Sequence, residues 1–185
     1  SNDFPITRVL ANYADLQWHL ISDGIPFKLD RNRLQITPFL VGAKRPRYIT
    51  SSSESAVTEP QWVSGLLIED ILSHRSIVFA PAIEKFTPQL SLALHASKAA
   101  FVDGTFWQDD EMTLLGISQR TARECGHLPL SGQDGLIECL SSSSDNCRTF
   151  FIHVNNTNPL LHQDDSAQDL PHGLSLARDG MLIEV

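Results

Sequence analysis

From Pro88 onward the chain alternates two kinds of apolar pattern, and this alternation most constrains its fold. "PQLSLALHAS" (Pro88 to Ser97) has helical spacing, and "AAFVDGT" (Ala99 to Thr105) follows as an unbroken strand-like run that stops at Asp103-Gly104. The pattern repeats with "QDGLIECLSS" (Gln133 to Ser142) as a helix and "RTFFIHVN" (Arg148 to Asn155) as a strand. Short buried strands that alternate with helices predict a sheet with helices packed against it.

The flanking segments extend this reading. "ITRVLANYA" (Ile6 to Ala14) predicts a helix after Pro5, a residue tolerated in a first helical turn. "LQITPFLV" (Leu34 to Val41) predicts a strand in which Pro38 marks an edge or a bulge. "GLLIED" (Gly65 to Asp70) and "SIVFAP" (Ser76 to Pro81) predict a hairpin. "DDEMTLLG" (Asp109 to Gly116) predicts a helix whose three leading acids suit the helix dipole. "DDSAQDL" (Asp164 to Leu170) predicts a short helix, and "LSLARDGMLIEV" (Leu174 to Val185) two short strands around Asp179-Gly180. The serine runs Ser51 to Ser55 and Ser141 to Asn146 read as loops. With 185 residues and 42% hydrophobic content, residues 1–185 are expected to form one α/β domain with a real core.

Charge and cysteine usage narrow the function classes. The net charge is −8, which disfavours a nucleic-acid partner, because phosphate binding needs clustered Lys and Arg. "KRPR" (Lys44 to Arg47) is the densest basic run and reads as a solvated loop. No apolar run approaches the roughly 20 residues of a membrane span, and the first residues lack a secretory pattern. Cys125, Cys139 and Cys147 form neither a disulfide framework nor a zinc knuckle, so a cytoplasmic location is expected.

Two strand ends could carry chemistry. Asp103 ends "AAFV", and His153 follows "FFI" just before "VNNTNP". Ligands of open α/β sheets gather at the carboxyl ends of strands. Carboxylate oxygen and imidazole nitrogen together suit zinc or iron(II). Equally, "DG" is a common turn dipeptide, and a lone strand histidine is often only hydrogen-bonded structure; the residues alone leave both readings open. His127, in "CGHLPLSG", is a third candidate because loop histidines are frequently functional. Asn155, Asn156 and Asn158 are expected to supply positive-φ backbone and a helix N-cap, or to orient a ligand histidine. Ser131 lacks the context of a hydrolase nucleophile.

"FVDGTFWQDDEM", "GHLPLSGQDG", "FIHVNNTNPLL" and "ARDGMLIEV" occur in the order and spacing of the coenzyme PQQ synthesis protein B family, which this sequence resembles strongly from Ser64 to Val185 and loosely before that. The resemblance implies a metallo-β-lactamase-like four-layer α/β/β/α sandwich, here mainly its C-terminal half. It implies that Asp103 and His153 are metal ligands for iron or zinc; the loop residue His127 is then expected to be a catalytic residue near the substrate. It further implies an iron-dependent oxygenase that hydroxylates the tyrosine of a peptide-derived precursor of pyrroloquinoline quinone (PQQ). A carrier or binding module for PQQ is the alternative, and a metallo-hydrolase rests on fold analogy alone.

The family's N-terminal cysteine cluster and Asp-His metal motif have no counterpart here, and residues 42–65 contain no histidine. Weak metal binding by this chain alone is therefore expected, together with a homodimer or pairing with an N-terminal half.

Overall fold

A computed structural model describes residues 6–15, 19–29, 31–45, 62–143, 146–161 and 170–185. Helix α1 (Ile6–Tyr13) precedes a seven-stranded sheet built in chain order: β1 (Phe27–Leu29), β2 (Leu34–Gly42), β3 (Val63–Asp70), β4 (Arg75–Ala80), β5 (Ala99–Asp103), β6 (Arg148–Ile152) and β7 (Leu174–Leu176). Strands β1 to β4 pair antiparallel and β4 to β7 pair parallel. Parallel neighbours require crossovers. Helix α2 (Pro88–Ala96) lies in the first, and α3 (Glu111–Leu114), α4 (Ala122–Cys125) and α5 (Leu136–Ser143) in the second. The mixed α/β class is therefore as expected, with one sheet among the described residues.

Strand alternation sorts the sheet into two faces. Val78, Ala80, Ala100, Val102 and Phe151 pack into one core with Leu90 and Leu94 of α2 and Leu136 and Leu140 of α5. Thr87 fixes α2 on this face: its side chain accepts the Leu90 N–H at 3.2 Å and donates to the Leu40 carbonyl at 3.1 Å. The intervening residues Ile68, Ile77, Phe79, Phe101 and Phe150 lie outside that core, and Phe101 stacks on its register partner Phe150 at 5.6 Å. Phe79 on this second face is 39% exposed.

Several local expectations are corrected. Pro38 is not in an edge strand. Strand β1 stops opposite Ile36, so Pro38 has a ladder partner on the β3 side alone. Its carbonyl accepts the Gly24 N–H at 2.8 Å on the open side. The missing N–H faces the same way and costs the ladder nothing. The bulge lies just beyond, between Leu40 and Gly42.

Ser141 to Ser143 are helical rather than loop: their hydroxyls donate to the carbonyls four residues back at 2.8–2.9 Å, which removes the competition serines usually offer a helix. The chain after β7 forms no second strand; Arg75 and Arg148 donate to the carbonyls of Val185 and Glu184 instead. The helix expected over Asp164 to Leu170, the Ser51 to Ser55 loop and the end of "KRPR" fall outside the described residues. Among the described residues, no helix is long and apolar enough to cross a membrane.

Candidate metal centre

The parallel register brings three strand ends to one edge. Ala80 aligns with Val102 and Phe151, and Asp103 with Ile152, so Pro81, Asp103 and His153 emerge side by side. Gly104 lets the ends of β5 and β6 close up. A Cβ there would stand 2.9 Å from the Phe151 Cβ and 3.0 Å from the Ile152 carbonyl, to which the Gly104 N–H donates at 2.8 Å. The "DG" dipeptide is thus a close-approach device.

The left-handed residue after β6 is His153 itself (φ +56°), not one of the asparagines. This conformation costs a non-glycine residue on the order of 1 kcal/mol and turns the chain off the strand. Asn158 is fully buried; it accepts the Leu160 N–H at 3.0 Å and donates to the Gly104 carbonyl at 2.8 Å. The expected N-cap is therefore present, on the 3-10 turn Pro159–Leu161.

His127 arrives from the second crossover. Thr121 and Glu124 form a reciprocal capping box on α4, and Gly126 ends that helix at φ +92°. The His127 N–H then donates to the Ala122 carbonyl at 3.0 Å, and Leu128 and Leu130 pin the following loop to Ile83 and Phe106. Sequence reasoning found His127 but not the helix that delivers it. The signal, "TARECG", was there as a capping box and a C-terminal glycine.

Asp103, His127 and His153 come together, each offering one ligand atom within 4.8 Å of the others. Nδ1 of His127 donates to Asp103 Oδ2 at 2.7 Å, and Nδ1 of His153 stands 3.7 Å from Oδ1. Asp103 Oδ2 also accepts the Ile83 N–H at 2.9 Å, and Oδ1 accepts the Thr105 N–H at 3.1 Å and hydroxyl at 2.5 Å. The Thr105 hydroxyl lies 2.9 Å from His153 Nδ1 and 3.2 Å from His127 Nδ1.

Burial is graded: the Asp103 side chain is fully buried, that of His127 is 17% exposed and that of His153 is 55% exposed. The site therefore opens to solvent on the His153 side. Burial alone would raise the Asp103 pKa, but the hydrogen bonds from His127 and Thr105 and the nearby His153 ring win and hold it at about 2. His153 is raised, first by the Asp103 carboxylate 3.7 Å from its ring, against the opposing effect of its own burial.

The donor set passes a chemical test for a metal. Two imidazoles and a carboxylate, from two strand ends and the loop after α4, suit zinc or iron(II). Ligand bonds of about 2.0–2.2 Å put donor atoms on a tetrahedral ion about 3.5 Å apart. The 4.8 Å within which the donor atoms lie is wider than that, so one ion could bind all three only if the groups drew closer.

The acids at Asp109 to Glu111 depart from the dipole reading. Asp109 Oδ1 accepts the Arg123 N–H at 2.9 Å, Asp110 makes no side-chain cap, and Glu111 is buried. Ser131 donates to the Trp107 carbonyl at 2.7 Å, outside the cluster.

Residues 2–154 match the family model described as "Beta-lactamase superfamily domain". Coenzyme PQQ synthesis protein B of Cupriavidus taiwanensis is 40% identical over 184 residues, 97% of this chain and 59% of that protein. The protein of the same name from Methylococcus capsulatus is 33% identical over 187 residues, 99% of this chain and 60% of its own length. Among solved structures, zinc-bound PqqB from Methylobacterium extorquens superposes with a TM-score of 0.83 at 26% identity, covering all of this chain and 60% of that one. A diphosphatase of the PhnP family shares the fold alone, at a TM-score of 0.58 and 15% identity. The chain spans about three fifths of the length of the relatives it matches. It belongs to the beta-lactamase superfamily, and along nearly its whole length it is similar to coenzyme PQQ synthesis protein B.

Proposed function

We propose that this chain acts in PQQ biosynthesis and that Asp103, His127 and His153 hold a divalent metal. The observation that carries this reading is the convergence of one carboxylate and two imidazoles at adjoining elements on one sheet edge. Two histidines and one carboxylate are the set that non-haem iron(II) oxygenases use, which favours hydroxylation of the tyrosine ring of a peptide-derived precursor. Bound there, iron(II) supplies the chemistry these side chains lack, activation of dioxygen for insertion of one oxygen atom while a reductant takes the other to water.

The protein's own groups prepare the place. Asp103, ionised at neutral pH and shut away from water, supplies a fixed negative charge. His127, held by Asp103 and flanked edge-on by Phe106 at 5.8 Å, is fixed from within the fold. His153 lies on the open side, where a precursor peptide reaches the site. We further propose that the second sheet face, with Phe79 and Phe101, is covered by another sheet, from an N-terminal half or a second copy.

The test is anaerobic loading of the chain with iron(II), addition of a tyrosine-bearing precursor peptide and a two-electron reductant such as ascorbate, and exposure to dioxygen. Peptide gaining the mass of one oxygen atom, and no gain with Asp103→Asn, supports the oxygenase. Tight peptide binding without oxygenation would favour a carrier instead.

A further inference from the structure

Glu111 is a buried acid that the proposed centre leaves unused. It is 4% exposed, and its carboxylate accepts the Trp107 N–H through Oε2 at 2.6 Å and the Thr157 hydroxyl through Oε1. The Thr157 oxygen accepts from Asn155 Nδ2 at 2.7 Å, and the Asn155 N–H donates to the Thr105 carbonyl at 3.1 Å. Thr105 in turn carries the hydroxyl that lies between Asp103 and His153. A continuous set of hydrogen bonds thus runs from Glu111, through the loop that follows His153, to the residue that touches the His153 ring.

This arrangement needs a reason. Burying a carboxylate is costly unless strong hydrogen bonds compensate it, and its neighbour Asp110 remains exposed as a helix acid usually does. Charge-assisted bonds are roughly twice as strong as neutral ones. His153 needs such support: it sits at φ +56° beyond the last residue of β6, so the sheet ladder does not fix its ring.

We infer that Glu111 and Thr157 are positioning residues that lock the loop over residues 153–158 and thereby fix the His153 imidazole. Their benefit to metal binding rests on the centre proposed above; the effect on the ring does not. Partners beyond the ligands commonly change metal affinity about 10–100-fold when removed.

The experiment compares the chain with Thr157→Val, Thr157→Ser and Glu111→Gln. Histidine ring resonances are recorded by nitrogen–proton NMR without metal, and each protein is then titrated with zinc. The expected result is displaced or broadened His153 ring signals in Thr157→Val and Glu111→Gln, with zinc affinity down about 10–100-fold, and recovery of both in Thr157→Ser. Unchanged His153 signals in Thr157→Val and Glu111→Gln overturn the inference, whatever their melting temperatures. Should the parent chain bind no zinc, the metal centre fails, and the ring signals alone still decide the role of Glu111 and Thr157.

Discussion

Asp103 Oδ2 and His127 Nδ1 stand 2.7 Å apart although 24 positions separate them in the chain. One ends a central strand and the other leaves a short capped helix, so their meeting depends on the second crossover as a whole. The other carboxylate oxygen faces His153, which makes Asp103 the hub of the cluster.

That hub gives stability a pH window. Asp103 has a lowered pKa, so its contribution is fully present above the ordinary aspartate value and is lost as pH falls towards about 2. His153 has a raised pKa, so its contribution is present below the ordinary imidazole value and is lost as pH rises through the raised one. The metal-free chain is expected to gain most from this cluster between about pH 4 and 6.5. Denaturant unfolding of the parent and Asp103→Asn across pH checks this; a stability difference that does not vary with pH would contradict it.

Gly104→Ala should be disproportionately harmful for so small a change. The added methyl meets the Phe151 Cβ at 2.9 Å and must push the ends of β5 and β6 apart. Overpacking of this kind costs about 1–3 kcal/mol, and metal affinity should fall with it because Asp103 and His153 sit on those ends. Thermal melting and zinc titration measure the two effects.

Thr121→Ala removes the capping box of α4 and should cost about 1 kcal/mol. The loop carrying His127 starts directly from that helix, so the His127 ring signal should broaden while that of His153 keeps its position. An undisturbed His127 signal would mean that the Asp103 contact alone holds His127.

How much of this was legible depends on the range of the interaction. Helix α2 and strands β4, β5 and β6 were readable because their apolar patterns are local, and Asp103 and His153 followed as strand ends. Strand β1 has three residues and α4 has four, too few for a period to show. Glu111 looked like a surface helix acid because its partner Thr157 lies 46 positions away. Residue type favours the asparagines for the left-handed position, because they tolerate that conformation best, whereas the sharp exit from β6 puts it on His153.

The most direct measurement is zinc and iron(II) binding, by calorimetry near neutral pH, to the chain and to Asp103→Asn, His127→Ala and His153→Ala. The account predicts one metal per chain, proton release that grows as pH falls because the raised pKa of His153 keeps more of its ring protonated, and affinity at least about tenfold weaker in each variant. Metal bound with equal affinity by the parent and all three variants would contradict it, as would no binding at all.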